Sequence, residues 1–269
     1  MLPALETLCD IVRAAAREEL LPRFADVVRH LKHDGSVVTE ADLSMQRRLQ
    51  AELARRWPEY DFLGEEMSGH EQEALTLANS NGLWCVDPLD GTSNYANGIP
   101  FFAVSLALLI EGRPQLGLVY DPVRDECFTA QKNRGAWRNN LALGAQDSMP
   151  ESLLRCIAVV DFKRLQATLA AKLSAHPPYG SQRNFGSSCL EWCWLADGRF
   201  QLYLHGGQKL WDYAAGSLIL TEAGGQATTL EGEEIFTLGM SPRSVVATAR
   251  PQLFPPWKSW LDQNRAVTD

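Results

Sequence analysis

The feature that most constrains this chain is the run from Leu83 to Thr92. Leu83-Trp84-Cys85-Val86 is a short apolar stretch of strand character, and it runs straight into Asp87-Pro88-Leu89-Asp90-Gly91-Thr92. A buried strand therefore has to deliver two carboxylates into one loop, with a glycine and a hydroxyl directly behind them. Hard divalent cations take oxygen ligands, and magnesium in particular sits on one or two carboxylates plus substrate phosphate. Pro88 fixes a backbone dihedral between the acids, and the N–H groups of Gly91 and Thr92 suit a phosphate at the start of a helix. The bland reading is a turn, because Asp-Pro and Asp-Gly are both common turn dipeptides.

Three further acidic stretches bear on the choice, each with an innocent explanation. Glu65-Glu66 follows a short strand at Phe62-Leu63-Gly64, and adjacent acids are usually solvated surface. Thr39-Glu40-Ala41-Asp42 fits a helix capping box. Asp212, in Trp211-Asp212-Tyr213, opens an apolar helix and fits an N-cap.

Around these stretches the chain reads as an α+β protein. Leu5, Leu8, Val12 and Ala16 mark a first helix, and Met45, Leu49 and Leu53 mark a second that stops before Pro58. Residues 101–110, 115–120 and 126–130 predict an antiparallel meander. The second half alternates: strands over 157–160, 201–204, 225–229 and 245–249, helices over 163–174, 187–196 and 213–223, and a short last helix at Pro255-Pro256-Trp257. The weakest seam, Gly144 to Pro150, separates an α+β half (residues 1–145) from an α/β half (146–269), together forming one compact unit.

Composition narrows the function classes. The 269 residues are 45% hydrophobic and 22% charged, an ordinary folded balance. A formal charge of −8 argues against nucleic acid or an anionic membrane held through a broad basic face. No apolar run approaches the ~20 residues that span a bilayer, and the N-terminus lacks the basic start and apolar centre of a secretory signal. The six cysteines form no CxxC pair, and Cys189 and Cys193 read as two packed thiols on one helix. Reduced structural cysteines in a cytoplasmic protein are the expectation.

Taken together, these motifs are recognisable. Gly64-Glu65-Glu66, the nine residues from Asp87 to Tyr95, Trp211-Asp212-Tyr213-Ala214-Ala215-Gly216, Val38 to Asp42 and Thr221 to Gly225 occur in the order and at the separations of the inositol monophosphatase family, which the chain resembles from about Lys32 to Gly225. The resemblance implies a layered α/β/α/β/α fold, a homodimer, lithium sensitivity and magnesium as cofactor. It makes Glu65, Asp87, Asp90 and Asp212 side-chain metal ligands and the Leu89 carbonyl a main-chain one. Asp42 and Thr92 match the pair that orients the attacking water, with Glu65 beside them. Lys32 matches a basic residue near the site.

The substrate implied is a small phosphorylated alcohol such as inositol monophosphate. Nucleotide 3′-phosphatase, fructose-1,6-bisphosphatase and histidinol-phosphate phosphatase are the nearest alternatives, and a regulatory binding protein is the alternative of another class. Ser93-Asn94-Tyr95 and Gly98-Ile99-Pro100 favour the inositol branch over the nucleotidases. Candidate substrate contacts are Gly91, Thr92, Gly186, Ser187, Arg183 and His205. The last stands seven residues before Asp212, where animal-type inositol phosphatases carry an acid that receives inositol hydroxyls. A histidine there closes a strand or contacts substrate.

Overall fold

The computed structural model describes residues 2–24, 26, 29–31, 37–78, 81–144 and 152–265. Lys32, the loop from His33 to Ser36 and nearly all of the seam from Gly144 to Pro150 lie outside them.

The chain begins with α1 (Leu5–Glu19), a small hairpin of β1 (Arg29–Leu31) and β2 (Val37–Thr39), and α2 (Glu40–Arg56). A seven-stranded sheet follows, built from β3 (Asp61–Gly64), β4 (Leu83–Asp90), β5 (Ala103–Ile110), β6 (Arg113–Asp121), β7 (Glu126–Gln131), β8 (Gly135–Arg138) and β9 (Leu141–Ala142), lying side by side in chain order. Only β3 pairs parallel; the rest is antiparallel, and β5 to β7 are the meander read from the sequence. Helices α3 (Gly69–Leu77) and α4 (Thr92–Ala96) sit in the connections. The second half holds β10 (Ile157–Asp161), α5 (Ala167–Ala175), β11 (Ser181–Arg183), α6 (Ser188–Ala196), β12 (Leu202–Gln208), α7 (Leu210–Glu222), β13 (Gln226–Thr228), β14 (Arg243–Thr248) and α8 (Phe254–Asn264), with its five strands in the order β11-β10-β12-β14-β13.

Strand periodicity sorts the side chains into layers. Along β5, Val104, Leu106 and Leu108 pack with α1 and α2, while Ala103, Ala107 and Leu109 pack with α6 and α7. Along β12, Tyr203 joins α6 and α7, while Leu202 and Leu204 face Leu169 and Leu173 of α5 and Trp257 and Leu261 of α8. The result is the expected α/β/α/β/α stack. Its central helices are apolar on all sides because both are covered by a sheet on each face. Contact there is close: a Cβ on Gly117 of β6 would lie 2.9 Å from the Ala215 carbonyl oxygen, and one on Gly216 would lie 2.4 Å from Cβ of Trp192. At the outer layer, Met45, Leu49 and Leu53 of α2 are fully buried, and each such side chain contributes about 1.5–3 kcal/mol.

Several element boundaries differ from the sequence reading. The helix expected over 163–174 splits into a 3₁₀ turn (Phe162–Arg164) and α5, because Asp161 and Leu165 both hold extended backbone. Strands β4 and β12 run four residues past their apolar stretches, to Asp90 and Gln208. Three-residue β11 and two-residue β9 have no alternating pattern to announce them.

Candidate active site

The acids gather where the ends of strands meet the starts of two buried helices. Strands β3 and β4 are parallel, with Gly64 opposite Val86, so both chains leave the sheet at the same edge and the Glu65 N–H donates to the Val86 carbonyl at 3.1 Å. Strand β4 then carries a bulge. Asp87 pairs with Ser105 and Asp90 with Ala103, three residues against two. A bulge re-aims side chains and tolerates a residue without an N–H, which is the place Pro88 occupies.

Each carboxylate is held by a separate element. The Glu65 turn is clamped from below, with Gln46 Oε1 accepting the Glu66 N–H at 3.0 Å and Gln72 Nε2 donating to the carbonyls of Gly64 and Glu65 at 3.0 Å each. Asp87 accepts the Leu89 N–H at 3.0 Å. Asp90 Oδ2 accepts the Ser187 hydroxyl at 2.5 Å and the Cys189 N–H at 2.7 Å, so the first turn of α6 points at it. Asp212 lies in the first turn of α7 and accepts the Lys209 N–H at 2.8 Å. Oxygens of Asp87 and Asp90 and the Cys189 sulfur lie within 4.8 Å of one another. Two helix N-termini converge on this point, and their dipoles favour negative charge there.

The electrostatics follow from burying several acids together. Burial pushes the carboxyl of Asp87 well above the usual range, and the charges of Glu65, Asp90 and Asp212 add to the shift. Asp212 is raised by burial and then by Asp90 and Glu65. Asp90 is raised by burial against the bonds from Ser187 and Cys189. Among the described residues none of these three aspartates forms an ion pair. The donor set is all oxygen apart from one thiol, which suits magnesium: Glu65, Asp87, Asp90, Asp212 and the Leu89 carbonyl would hold it.

Asp42 and Thr92 meet beside the cluster. Thr92 Oγ1 lies 2.9 Å from Asp42 Oδ1 and 2.9 Å from the Leu89 carbonyl oxygen, and its single proton serves one of them at a time. Asp42 Oδ2 accepts both the N–H and the hydroxyl of Thr39, at 2.7 and 2.6 Å. The capping box is real, and the same carboxylate also reaches the site with its other oxygen. Burial raises the Asp42 carboxyl against three hydrogen bonds, and Glu65 raises it further.

The proposed substrate contacts fall into two groups. Gly91 sits in the left-handed region (φ +87°) as the cap of α4, and a Cβ there would lie 3.1 Å from the Phe101 carbonyl oxygen and 3.2 Å from that of Gly186, so the two loops abut. The Gly186 N–H and Ser187 hydroxyl are occupied within the protein, by Glu191 Oε1 at 3.1 Å and by Asp90. Arg183 is exposed on edge strand β11 and bonds Ser181 Oγ and the Gln182 carbonyl, at 2.7 Å each. His205 is buried with both ring nitrogens engaged. Nδ1 accepts the Gly207 N–H at 3.1 Å, and Nε2 lies 3.1 Å from Asp161 Oδ2.

Sequence reasoning missed the groups that hold the site. Glu191, buried on α6, accepts the N–H of Phe185 and Gly186 on one oxygen and the Tyr203 hydroxyl on the other; burial pushes its carboxyl up to about 7. Gln208 donates to Tyr203 at 2.6 Å and accepts the Trp192 indole N–H at 2.9 Å, completing a buried chain. Cys189, read as a packed thiol, is also part of the acid cluster. A polar residue inside an otherwise apolar helix was the available signal for Glu191.

Known proteins resemble this chain in sequence and fold. The profile of the inositol monophosphatase family matches residues 2–260. Inositol monophosphatase 2 of Solanum lycopersicum is 34% identical over 260 residues, covering 91% of this chain and 94% of its own. Nus factor SuhB of Pasteurella multocida is 34% identical over 212 residues, 77% of each chain. Among solved structures, the extragenic suppressor protein suhB from Bartonella henselae superposes with a TM-score of 0.83 at 28% identity, over 98% of this chain and 100% of that one.

Proposed function

This chain belongs to the inositol monophosphatase family, and on that premise we propose that it is a magnesium-dependent phosphatase hydrolysing the phosphate monoester of a small polyol such as inositol monophosphate. The observation that carries the reading is the meeting of Asp87, Asp90 and Asp212, acids from one bulged strand and one helix start whose carboxyls burial raises, with Glu65 adding to each, and which form no ion pair among the described residues.

Magnesium bound there supplies positive charge that lowers the pKa of a water and neutralises charge on the phosphate and the departing oxygen. The remaining work falls to the chain. With Asp42 ionised, the Thr92 proton lies toward Asp42 Oδ1, and the Thr92 oxygen keeps lone pairs to accept a bond from the attacking water. The short Thr39 bonds hold Asp42 still while it does so. Backbone N–H groups in the opening turn of α4 face the non-bridging phosphate oxygens. Glu191 fixes the Phe185-Gly186 turn against Gly91.

Cytoplasmic placement and a homodimer belong to the same proposal. Six unpaired cysteines support the first, and family resemblance supports the second. No helix among the described residues is long and apolar enough to cross a membrane.

A second reading, a regulatory binding role, is favoured by the Pasteurella relative named as a Nus factor. One experiment separates the two. Phosphate release is measured on inositol 1-phosphate, glycerol 2-phosphate, fructose 1,6-bisphosphate, 3′-phosphoadenosine 5′-phosphate and histidinol phosphate, with magnesium, with chelator and with Asp90→Asn. Magnesium-dependent turnover that the variant lacks supports the phosphatase, and the ranking of kcat/KM names the substrate. Negligible turnover, with a captured partner that still binds Asp90→Asn, supports the binding role.

A further inference from the structure

We propose that Asp161, held in place by His205, receives a hydroxyl group of the substrate and sets which phosphorylated alcohols are accepted. The inference rests on the phosphatase reading above and adds a specificity-determining residue to it.

Asp161 is the last residue of β10, and it lies in register with His205 on the adjacent parallel strand β12. Two residues earlier, Val159 and Tyr203 both pack toward α6 and α7. By strand alternation Asp161 and His205 face the same way, toward the layer that carries Asp90's partners and Asp212. Ligands of parallel sheets bind outside the carboxyl ends of the strands, which is where this pair stands. Strand β12 then leads through Gln208 into α7, with Asp212 in its first turn. The exposed cation Arg164 acts electrostatically on both Asp161 and Asp212, so both acids lie within reach of one charge.

The hydrogen bonds fix what each member of the pair can do. His205 Nδ1 accepts the Gly207 N–H, so the proton of the neutral ring is on Nε2, which lies 3.1 Å from Asp161 Oδ2. Both ring nitrogens are thereby used, and the side chain is only 6% exposed, so the histidine positions rather than contacts. Asp161 differs. Its Oδ1 accepts the Lys163 N–H at 2.8 Å and its Oδ2 lies 3.1 Å from His205 Nε2, which leaves a lone pair on each oxygen, and a fifth of its side chain stays open. Hydrogen bonding to His205 holds its carboxyl below the usual value, so it is an ionised acceptor at neutral pH. The acid that animal-type relatives carry at position 205 is absent here, and the neighbouring strand presents one instead. An acceptor in that place recognises a neutral donor, and a hydroxyl of a polyol ring is the matching chemistry. The plain alternative is that Asp161 only caps the 3₁₀ turn that follows it.

The test uses inositol 1-phosphate and cyclohexyl phosphate, which share a ring and a scissile ester but differ in hydroxyls. The full-length magnesium enzyme, Asp161→Asn and the double variant Asp161→Asn/His205→Glu are compared for kcat, KM and melting temperature. A site built around a hydroxyl discriminates by that hydroxyl, so Asp161→Asn should raise KM for inositol 1-phosphate about tenfold or more, with kcat nearly kept and cyclohexyl phosphate unaffected. The double variant, which returns a carboxylate to β12, should recover most of that discrimination. Equal losses on both substrates, or unchanged KM in both variants, would overturn the assignment while leaving the phosphatase reading intact. Failure of the unaltered enzyme to release phosphate from either probe would overturn both.

Discussion

Two clusters of buried and half-buried acids in this molecule are built in opposite ways. At the outer edge of the layers, Glu126 and Asp197 are matched by arginines. Arg199 bonds Glu126 at 2.5 Å and Asp197 at 2.7 Å, Arg138 bonds Asp197, and the Arg199 guanidinium lies 4.6 Å from the Trp194 ring. At the strand ends, Asp87, Asp90 and Asp212 receive N–H and hydroxyl donors but no cation from the described residues. Burying a carboxylate is costly unless it is paired or coordinates a metal. The first cluster is neutralised by the chain itself and needs nothing more. The second has no such partner among the described residues, and that difference separates a cluster the chain neutralises from the one proposed to take a cation.

The largest expected difference between the clusters is in activity. Asp90→Asn removes a charged ligand and should lower kcat about a thousandfold or more, while the metal-free melting temperature holds or rises because one repulsion is gone. Arg199→Met should do the reverse. Removing one partner of a largely buried pair costs about 3 kcal/mol of stability, and magnesium-dependent turnover per folded molecule should stay near the wild-type value. A fall in activity as steep as that of Asp90→Asn would break the distinction.

Magnesium itself should stabilise only through the unpaired cluster. At a hundred times its Kd a bound ion adds about 2.7 kcal/mol, visible in thermal unfolding with and without chelator. The pH dependence has a definite sign. Asp87, Asp90 and Asp212 have folded-state carboxyls above the ordinary 3.8, so the folded protein keeps protons that the unfolded chain releases. Stability of the metal-free protein therefore falls as pH rises from about 3.8 toward the folded values. The stabilisation by magnesium should grow over the same range. A magnesium effect that is flat with pH would place the ion elsewhere.

The smallest effect sharpens the picture of the surrounding wall. Glu191→Gln keeps an acceptor for Phe185 and Gly186 but removes a carboxyl that burial pushes up to about 7, at about 1 kcal/mol. It should raise KM modestly in steady-state assays with little change in kcat.

Much of this site was legible in the sequence because its ligands sit at positions with strong local signals. Asp87 and Asp90 follow an apolar strand, Asp212 opens an apolar helix, and Thr39 and Asp42 form a capping box. What local pattern could not supply is which innocent reading also served the site. Asp42 is a cap and a site residue at once, because a carboxylate has two oxygens and the cap occupies only one. The supporting groups were hidden for a different reason. Glu191, Gln208 and Tyr203 meet only when α6 packs on β12, and Asp161 meets His205 only through strand pairing across more than forty residues of chain. Gly186 and Ser187 read as facing the substrate, and the bonds of the Gly186 N–H to Glu191 and of the Ser187 hydroxyl to Asp90 are set by tertiary packing that the sequence does not announce.

Calorimetric titration of magnesium into the purified protein, beside Asp90→Asn, tests the central claim most directly. The unpaired cluster predicts saturable binding that the variant loses or weakens about a hundredfold, and that falls away as pH drops and the aspartates take up protons. Equal binding by both proteins, or none by either, would contradict the assignment of these acids as the metal site.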